Sequence, residues 1–530
     1  MNANTLNKKL LFSLCSPALL LLSFPPFNMW PCAFVAFIPL FSVLRNASRN
    51  EALFFSYFSG LIFFSGSIYW LTHVSQFGCI FLILYFALFW GLFGILGHGI
   101  LIGKSTACRA LTFQNPIVTA LILSFLWTGI EVVRAQLPVL GFGWVLLGFS
   151  QSLHLPFIQI ADCIGVYGVS FLVMVINVLL YATETSFKEK KGVARFAPLV
   201  MVILLFILMY SYGNFRLRAH PSGNLLRVGI VQGNIAQADK WNPVLKEKII
   251  EKYAKLVEFI SYDGPELIIL PEASYPGNFK KEFPGSPLQR VVQKTGIPLL
   301  IGAIRFESAE EEYNSSFLIS GGGDIVGQYD KIQLVPFGEY VPWKRLFSFL
   351  GLTKLAYSLG VGDFKKGKEF TVFTHPLNDE RHVFSFSTLI CFEDIFPALA
   401  RTFVAHGAQF LVVITNDAWF GKTGAAAQHV HASVFRALEN NCYVIRSANT
   451  GISAFISPRG NVMDTVHNEQ GEELFVMGGI TRAIFLSSSK TFYQSMGFVF
   501  KDLCLLFLAA YVLLFCCYSS NLFKIKKLHS

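Results

Sequence analysis

The sequence predicts a multi-span α-helical membrane bundle of about eight helices joined to a separately folded extracytoplasmic α/β domain. Three observations predict it. The composition is 53% hydrophobic and only 14% charged, with a mean hydropathy of +0.51. Apolar runs of membrane-crossing length crowd the first 213 residues and return once near the end. Between them lies a polar interval in which short apolar runs alternate with amphipathic ones.

The apolar runs cover residues 10–24, 27–44, 52–71, 77–103, 117–137, 157–181, 196–212 and 496–518. Most reach the roughly 20 residues a helix needs to cross the hydrocarbon core. The first is short and holds Pro17; a cleavable signal peptide is the competing reading, but no small-residue cleavage site follows it. Domain limits follow: 1–213 as a seven-helix bundle, 214–494 as the outer domain, and 495–530 as a last helix with a basic tail.

Charge sets the orientation. With the N-terminus in the cytoplasm, the inner segments carry Lys8, Lys9, Arg45, Arg49, Lys104, Arg109, Lys188, Lys190, Lys191, Arg195, Lys524, Lys526 and Lys527. The short outer loops carry no Lys or Arg. This is the positive-inside asymmetry. The net charge of these inner segments equals the +10 of the whole chain, so the basic excess reports topology and suits anionic membrane lipids; nucleic acid is not called for. Both termini are then cytoplasmic and the catalytic interval faces outward, the periplasm in a diderm bacterium.

Within residues 225–490, "LLRVGIVQGN", "PELIILPEASYP", "IPLLIGAIRF", "HVFSFSTLICFED", "AQFLVVITNDAWFG", "CYVIRSAN" and "GISAFISPRGNV" read as buried strands. "PVLKEKIIEKYAKLVEFI", "SPLQRVVQKTG", "FPALARTFVAHG" and "AAAQHVHASVFRALENN" read as helices. "SSFLISGGGDIVGQYDKI" reads as a hairpin turning at Gly321–Gly323, which is not a phosphate loop because no helix follows it. Alternating strands and helices predict a layered fold whose site gathers at strand ends. Polar residues recur there: Glu272, Lys331, Cys391 with Glu393, and Asn416 with Asp417.

These residue types suit acyl transfer. A thiol at Cys391 attacks a carbonyl once a base takes its proton, and Glu272 is the candidate base. The oxyanion that forms is stabilised by a buried cation such as Lys331. The competing reading is a disulfide between Cys391 and Cys442, the two cysteines of the outer domain. No metal site is expected, since His429 and His431 lie two apart on a helix and lack a third ligand. No cofactor is called for.

"LPE", "YDKIQLVPFGEYVP" and "ICFEDIFP", in that order, resemble the Glu-Lys-Cys set of the nitrilase superfamily. "KIQLVPFGEYVPW", "VQGNIAQADKW", "TNDAWFG", "RALENNCYVIRSANTGIS", "GFGWVLLGFSQS" and "ADCIGVYGVSFL" are similar to its membrane-bound branch, the apolipoprotein N-acyltransferases. The resemblance implies a nitrilase-like α-β-β-α sandwich with Glu272 as general base, Lys331 as oxyanion partner and Cys391 as nucleophile. It implies support from Glu339, Glu393 and Phe392, and substrate contacts from Trp241, Asn416 and Trp419. Phe392 departs from the family, where an aromatic hydroxyl often stands. The implied reaction is ping-pong: a phospholipid donates an acyl chain to Cys391, and the α-amine of a diacylated apolipoprotein accepts it. The implied location is the bacterial inner membrane.

Residues 343–364, "WKRLFSFLGLTKLAYSLGVGDF", are expected to form a membrane-dipping arm over the site, or else an ordinary packed helix. Glu131, Arg134 and Asp162 are charged residues within spans, with Glu131 and Arg134 placed to pair at helical spacing. Two other functions fit parts of the pattern: a membrane-anchored amidase-type hydrolase, with water as acceptor, and a transporter or receptor whose outer domain binds ligand.

Overall fold

The computed structural model describes residues 3–102, 115–189, 192–219, 223–308, 311–349, 351, 354, 357, 361–376, 383–486 and 489–528. The chain divides into two compact units, residues 1–218 with 495–530, and residues 219–494.

Among the described residues the first unit holds six helices long and apolar enough to cross a membrane: Asn4–Leu22, Gln76–Leu101, Pro116–Gln136, Ala161–Lys188, Val193–Leu217 and Tyr493–Cys517. A seventh, Arg49–Ser67, is continuous for 19 residues and starts on a Ser48–Glu51 capping box. Its charged first turn and its serines and glycines leave it less apolar than the six. The run at 27–44 is not one helix. It breaks into a turn of 3-10 helix, Trp30–Phe34, and a short helix, Ile38–Arg45, each with proline in its first positions. Pro31 and Pro39 supply no N–H, so each opens a helix more readily than it continues one.

The broken segment still returns the chain to one end of the unit. Lys9 pairs with Glu51 at 2.9 Å, and Arg49 lies 4.7 Å over the Phe515 ring. Two of the basic residues read from the sequence as cytoplasmic, Lys9 and Arg49, are thus brought to the same end of the helix Arg49–Ser67. Glu131 and Arg134 serve the backbone more than each other. Glu131 accepts from the Leu147 N–H at 2.6 Å, and Arg134 donates to the carbonyls of Phe142 and Trp144 at 2.9 and 3.0 Å. Both therefore pin the "GFGWVLLG" loop to the helix Pro116–Gln136. Asp162 accepts from Tyr212 at 2.7 Å and pairs with Arg216 at 2.6 Å.

Among the described residues the second unit is built on two six-stranded sheets, ordered β12-β1-β2-β3-β4-β5 and β11-β10-β9-β8-β7-β6. The strands are β1 Leu225–Gln232, β2 Leu267–Ile269, β3 Leu299–Ser308, β4 Glu311–Ile319, β5 Ile325–Asp330, β6 Phe373–Pro376, β7 Val383–Ile390, β8 Phe410–Thr415, β9 Val444–Ala448, β10 Ala454–Ile456, β11 Val462–Thr465 and β12 Gly478–Phe485. At the centre of each sheet the strands run parallel, as in β1-β2-β3 and β7-β8-β9.

Alternation along the strands makes the layers. Val231, Ile268, Leu299 and Phe317 pack against Ile249, Tyr253, Val257, Leu288 and Val292 of the helices Lys246–Ser261 and Pro287–Thr295. Their neighbours Ile269, Leu300 and Leu318 are equally buried on the opposite face. The two sheets meet there, and Ser447 of β9 donates across to the carbonyl of Val231 at 2.9 Å. Two features escape the sequence reading: the edge strands β6 and β12, and the splitting of "GISAFISPRGNV" into β10 and β11 around a turn.

Candidate active site

Glu272 lies just past β2, where Ala273 takes a left-handed φ of 44°. The turn is pressed onto β3. The N–H groups of Ser274 and Tyr275 both donate to the Gly302 carbonyl, at 2.8 and 3.3 Å. A Cβ at Gly302 would meet the Pro271 oxygen at 2.6 Å and the Glu272 Cα at 2.7 Å, so only glycine admits this approach.

Lys331 follows β5, and its N–H donates to the Asn314 carbonyl on β4 at 2.9 Å. The preceding Asp330 is locked to Arg305 at 3.0 Å, which fixes where the lysine emerges. Lys331 Nζ lies 2.7 Å from Glu339 Oε1 and 3.8 Å from Glu272 Oε1. Burial would strip its proton, but Glu339 and Glu272 outweigh burial and hold the ammonium well above the usual lysine range. Glu339 also accepts from the Val335 N–H at 2.8 Å.

Asn314 ties the two carboxylates together. Its amide donates to Glu272 Oε1 at 2.7 Å and to Glu339 Oε1 at 3.1 Å. No motif announced it; the available signal was a polar residue buried within an otherwise apolar strand.

Cys391 opens the turn Cys391–Ile395 after β7 and has φ 53°. A non-glycine residue in this region is strained by about 1–3 kcal/mol. The conformation is held from outside, by His429 Nε2 at 3.2 Å from the Cys391 carbonyl. Asp417 lies 3.2 Å from Nδ1 of the same ring. Against the upward push of burial, His429 and Arg446 hold Asp417 below its ordinary range. Cys391 is a free thiol and so is the buried Cys442. Burial and then the Glu272 carboxylate push the Cys391 thiol up, while Lys331 pulls it down. The resting sulfur is therefore protonated, and any nucleophilic role would require a base.

Glu393 is fully buried and acts as a clamp. It accepts from the N–H groups of Ile390, Ile332 and Gln333 at 2.8, 2.7 and 3.0 Å, and from the Tyr329 hydroxyl at 2.7 Å. It thereby joins the backbone beside Cys391 to the backbone beside Lys331. Burial pushes its carboxyl up, and the donated hydrogen bonds oppose the push. Phe392 is buried edge-on against Phe396 at 5.1 Å.

Trp241 and Trp419 are half exposed. Asn416 is used internally: its amide donates to Gln237 at 2.7 Å and accepts from Asn449 at 2.9 Å. Its visible role is to fasten the turn Gln237–Lys240 that precedes Trp241.

The family profile of the apolipoprotein N-acyltransferase N-terminal domain matches residues 16–179, and that of the carbon-nitrogen hydrolases matches 227–483. A Geobacter metallireducens protein named apolipoprotein N-acyltransferase is 34% identical over 93% of this chain and 92% of its own length. This chain belongs to the apolipoprotein N-acyltransferase family. Relatives of the same name from Chlorobaculum tepidum and Pasteurella multocida are 32% and 31% identical, over 85% and 83% of the chain and 87% and 84% of their own lengths. Glu272, Lys331, Glu339, Cys391 and Glu393 all fall within the carbon-nitrogen hydrolase match, whereas Glu131, Arg134 and Asp162 fall within the N-terminal one.

Proposed function

We propose that the protein transfers an acyl chain from a phospholipid, through a thioester on Cys391, to the N-terminal α-amine of a diacylglyceryl-cysteine on an apolipoprotein. One observation carries the chemistry: a buried ammonium, two carboxylates and a protonated thiol act on one another at the strand ends of a nitrilase-like fold.

In the first half-reaction Glu272 takes the Cys391 proton as the sulfur attacks the ester carbonyl carbon. Lys331 stabilises the oxyanion, and Glu339 keeps the lysine charged and partly drawn away from Glu272. The carbon–oxygen bond to the leaving lysophospholipid breaks, and Glu272 returns its proton to that oxygen. In the second half the amine attacks the thioester, Glu272 accepts an N–H proton, and collapse expels the sulfur, which recovers the proton as a thiol. Neither half consumes a cofactor.

Both substrates are lipids, so the protein works at a bilayer surface. We place it in the bacterial inner membrane, termini in the cytoplasm and catalytic unit in the periplasm, on the charge asymmetry of its loops. The arm at 343–364 fits lipid entry: Trp343, Leu346 and Phe349 are 51%, 52% and 87% exposed. Its base is fastened at the site, because the N–H groups of Gly362 and Phe364 donate to the carbonyls of Gly338 and Glu339, both at 2.9 Å. Residues 350, 352–353, 355–356 and 358–360 of the arm lie outside the described residues.

The deciding experiment incubates purified protein with phospholipid alone and reads Cys391 by peptide mass spectrometry, then adds a diacylated lipopeptide. An acyl adduct on Cys391 that disappears as N-acylated lipopeptide forms supports the proposal. Release of free fatty acid, with no acylated lipopeptide, would overturn it in favour of the hydrolase.

A further inference from the structure

One charged group beside the couple has no role in the mechanism above. Lys240 ends the turn Gln237–Lys240 and is 2% exposed. Its Nζ donates to the backbone carbonyl of Glu272 at 2.9 Å. Among the described residues no carboxylate forms an ion pair with it, unlike Lys331, which has two. A buried ammonium without a paired carboxylate is costly, and a methionine would fill the same volume without that cost. The turn holding it is itself fastened, through Gln237 to Asn416 and Asn449.

We propose that Lys240 is a positioning residue of this site: its buried ammonium fixes the Glu272 peptide and keeps one negative charge shared between Glu272 and Cys391. The proposal rests on the acyl-transfer reading only in taking those two residues as base and nucleophile. Removing the ammonium makes the single negative charge of the couple harder to carry, whichever of the two atoms bears it. Its own charge is conditional. Burial lowers the lysine to about 8, with Glu272 and Cys391 pulling it back up. Those two are the titratable groups acting on it, from the ends of β2 and β7; Asp239 shares its turn, and Lys331 and Glu339 flank Glu272. Lys240 is charged below about pH 8 and neutral above it, so its support is present at neutral pH and fades in mild alkali.

Iodoacetamide alkylation of Cys391, read by peptide mass spectrometry on the full chain from pH 6 to 10, tests this without any lipid substrate. In Lys240→Met and Lys240→Gln, alkylation at pH 7 is expected to be about tenfold slower than in the native protein. The ratio should close toward one above pH 9, as the native lysine loses its own proton. A ratio that stays constant with pH would reduce Lys240 to a tether, and a ratio of one throughout would remove its role. Should neither variant fold, the native profile decides: its rise with pH should slow to well under tenfold per unit between pH 7 and 9, without levelling off, and an unbroken tenfold rise per pH unit overturns the proposal. Acyl-adduct formation from phospholipid is measured on the same samples. Native protein that shows the alkylation pattern but takes no acyl group would sink the acyl-transfer reading and leave Lys240 in place.

Discussion

Replacing Glu393 by glutamine tests whether one buried carboxylate sets the relative position of Lys331 and Cys391. Both of its oxygens receive donors: Oε1 takes those of Tyr329, Ile332 and Gln333, and Oε2 takes that of Ile390. An amide has only one acceptor oxygen, so neither flip of Glu393→Gln satisfies the set. The cheaper flip keeps the oxygen on three donors and turns NH₂ against the Ile390 N–H. Two buried donors then lack acceptors, at about 1–3 kcal/mol each. The three remaining bonds lose their charge assistance, about half their strength. The sum is about 5 kcal/mol, a large share of the 5–15 kcal/mol that holds a typical domain. At about 2–4 °C per kcal/mol for a unit of this size, the melting temperature of the outer unit should fall by about 10–20 °C. Deuterium exchange should rise at residues 329–333 and 388–393, and acyl-adduct formation should drop by at least 100-fold. A variant that melts within about 2 °C of the native protein and acylates within threefold of it would refute the clamp.

Other substitutions isolate other parts. Asn314→Ala removes a hydrogen bond to each carboxylate; losing about 2 kcal/mol from the position of Glu272 predicts roughly 30-fold slower acyl-adduct formation, with little change in lipid affinity. Cys391→Ser should fold normally yet yield no adduct stable enough to collect, and a competent serine enzyme would contradict the thioester route. Because burial and Glu272 push the Cys391 thiol up, its alkylation should still be climbing past pH 9, where an ordinary cysteine levels off; a plateau below pH 8 would mean a resting thiolate. Leu346→Asp with Phe349→Asp should slow transfer from phospholipid vesicles more than from a soluble thioester, and equal loss on both would count against the arm.

Much of this was legible because two kinds of signal are local. Hydropathy exposes long apolar helices, and buried strands ending in Glu272, Lys331 and Cys391 stand out against the apolar runs that precede them. The break at Trp30–Arg45 was less legible, because hydropathy averages over the two prolines that divide it. Asn314, Lys240 and His429 were not legible as site residues. Each acts on a partner distant in sequence: Asn314 on Glu272 across 42 positions, Lys240 on the Glu272 carbonyl across 32, and His429 on the Cys391 carbonyl across 38. Such contacts have no period and no motif, only a fold that brings strand ends together. For His429 the sequence offers only its spacing from His431 along a helix, which argues against a metal site and points to no other role. In the fold its two ring nitrogens face the Cys391 carbonyl and Asp417, which spends it on holding a strained backbone.

Under the proposed mechanism, the charges of the site argue for one order of events. Lys331 cannot serve as the base, because Glu339 and Glu272 keep it protonated, and Cys391 cannot attack unaided, because burial and a neighbouring carboxylate keep its proton on. Asn314 and Lys331 both address the same oxygen of Glu272, Oε1, so that oxygen is held and Oε2 is the one left to receive a proton. Once it does, the carboxylate that opposed the thiolate is neutral, and Lys331 acts on the sulfur and the nascent oxyanion with its charge no longer shared with Glu272. Proton transfer and attack therefore reinforce each other. A site wired this way keeps its thiol protonated until a carbonyl carbon stands within reach.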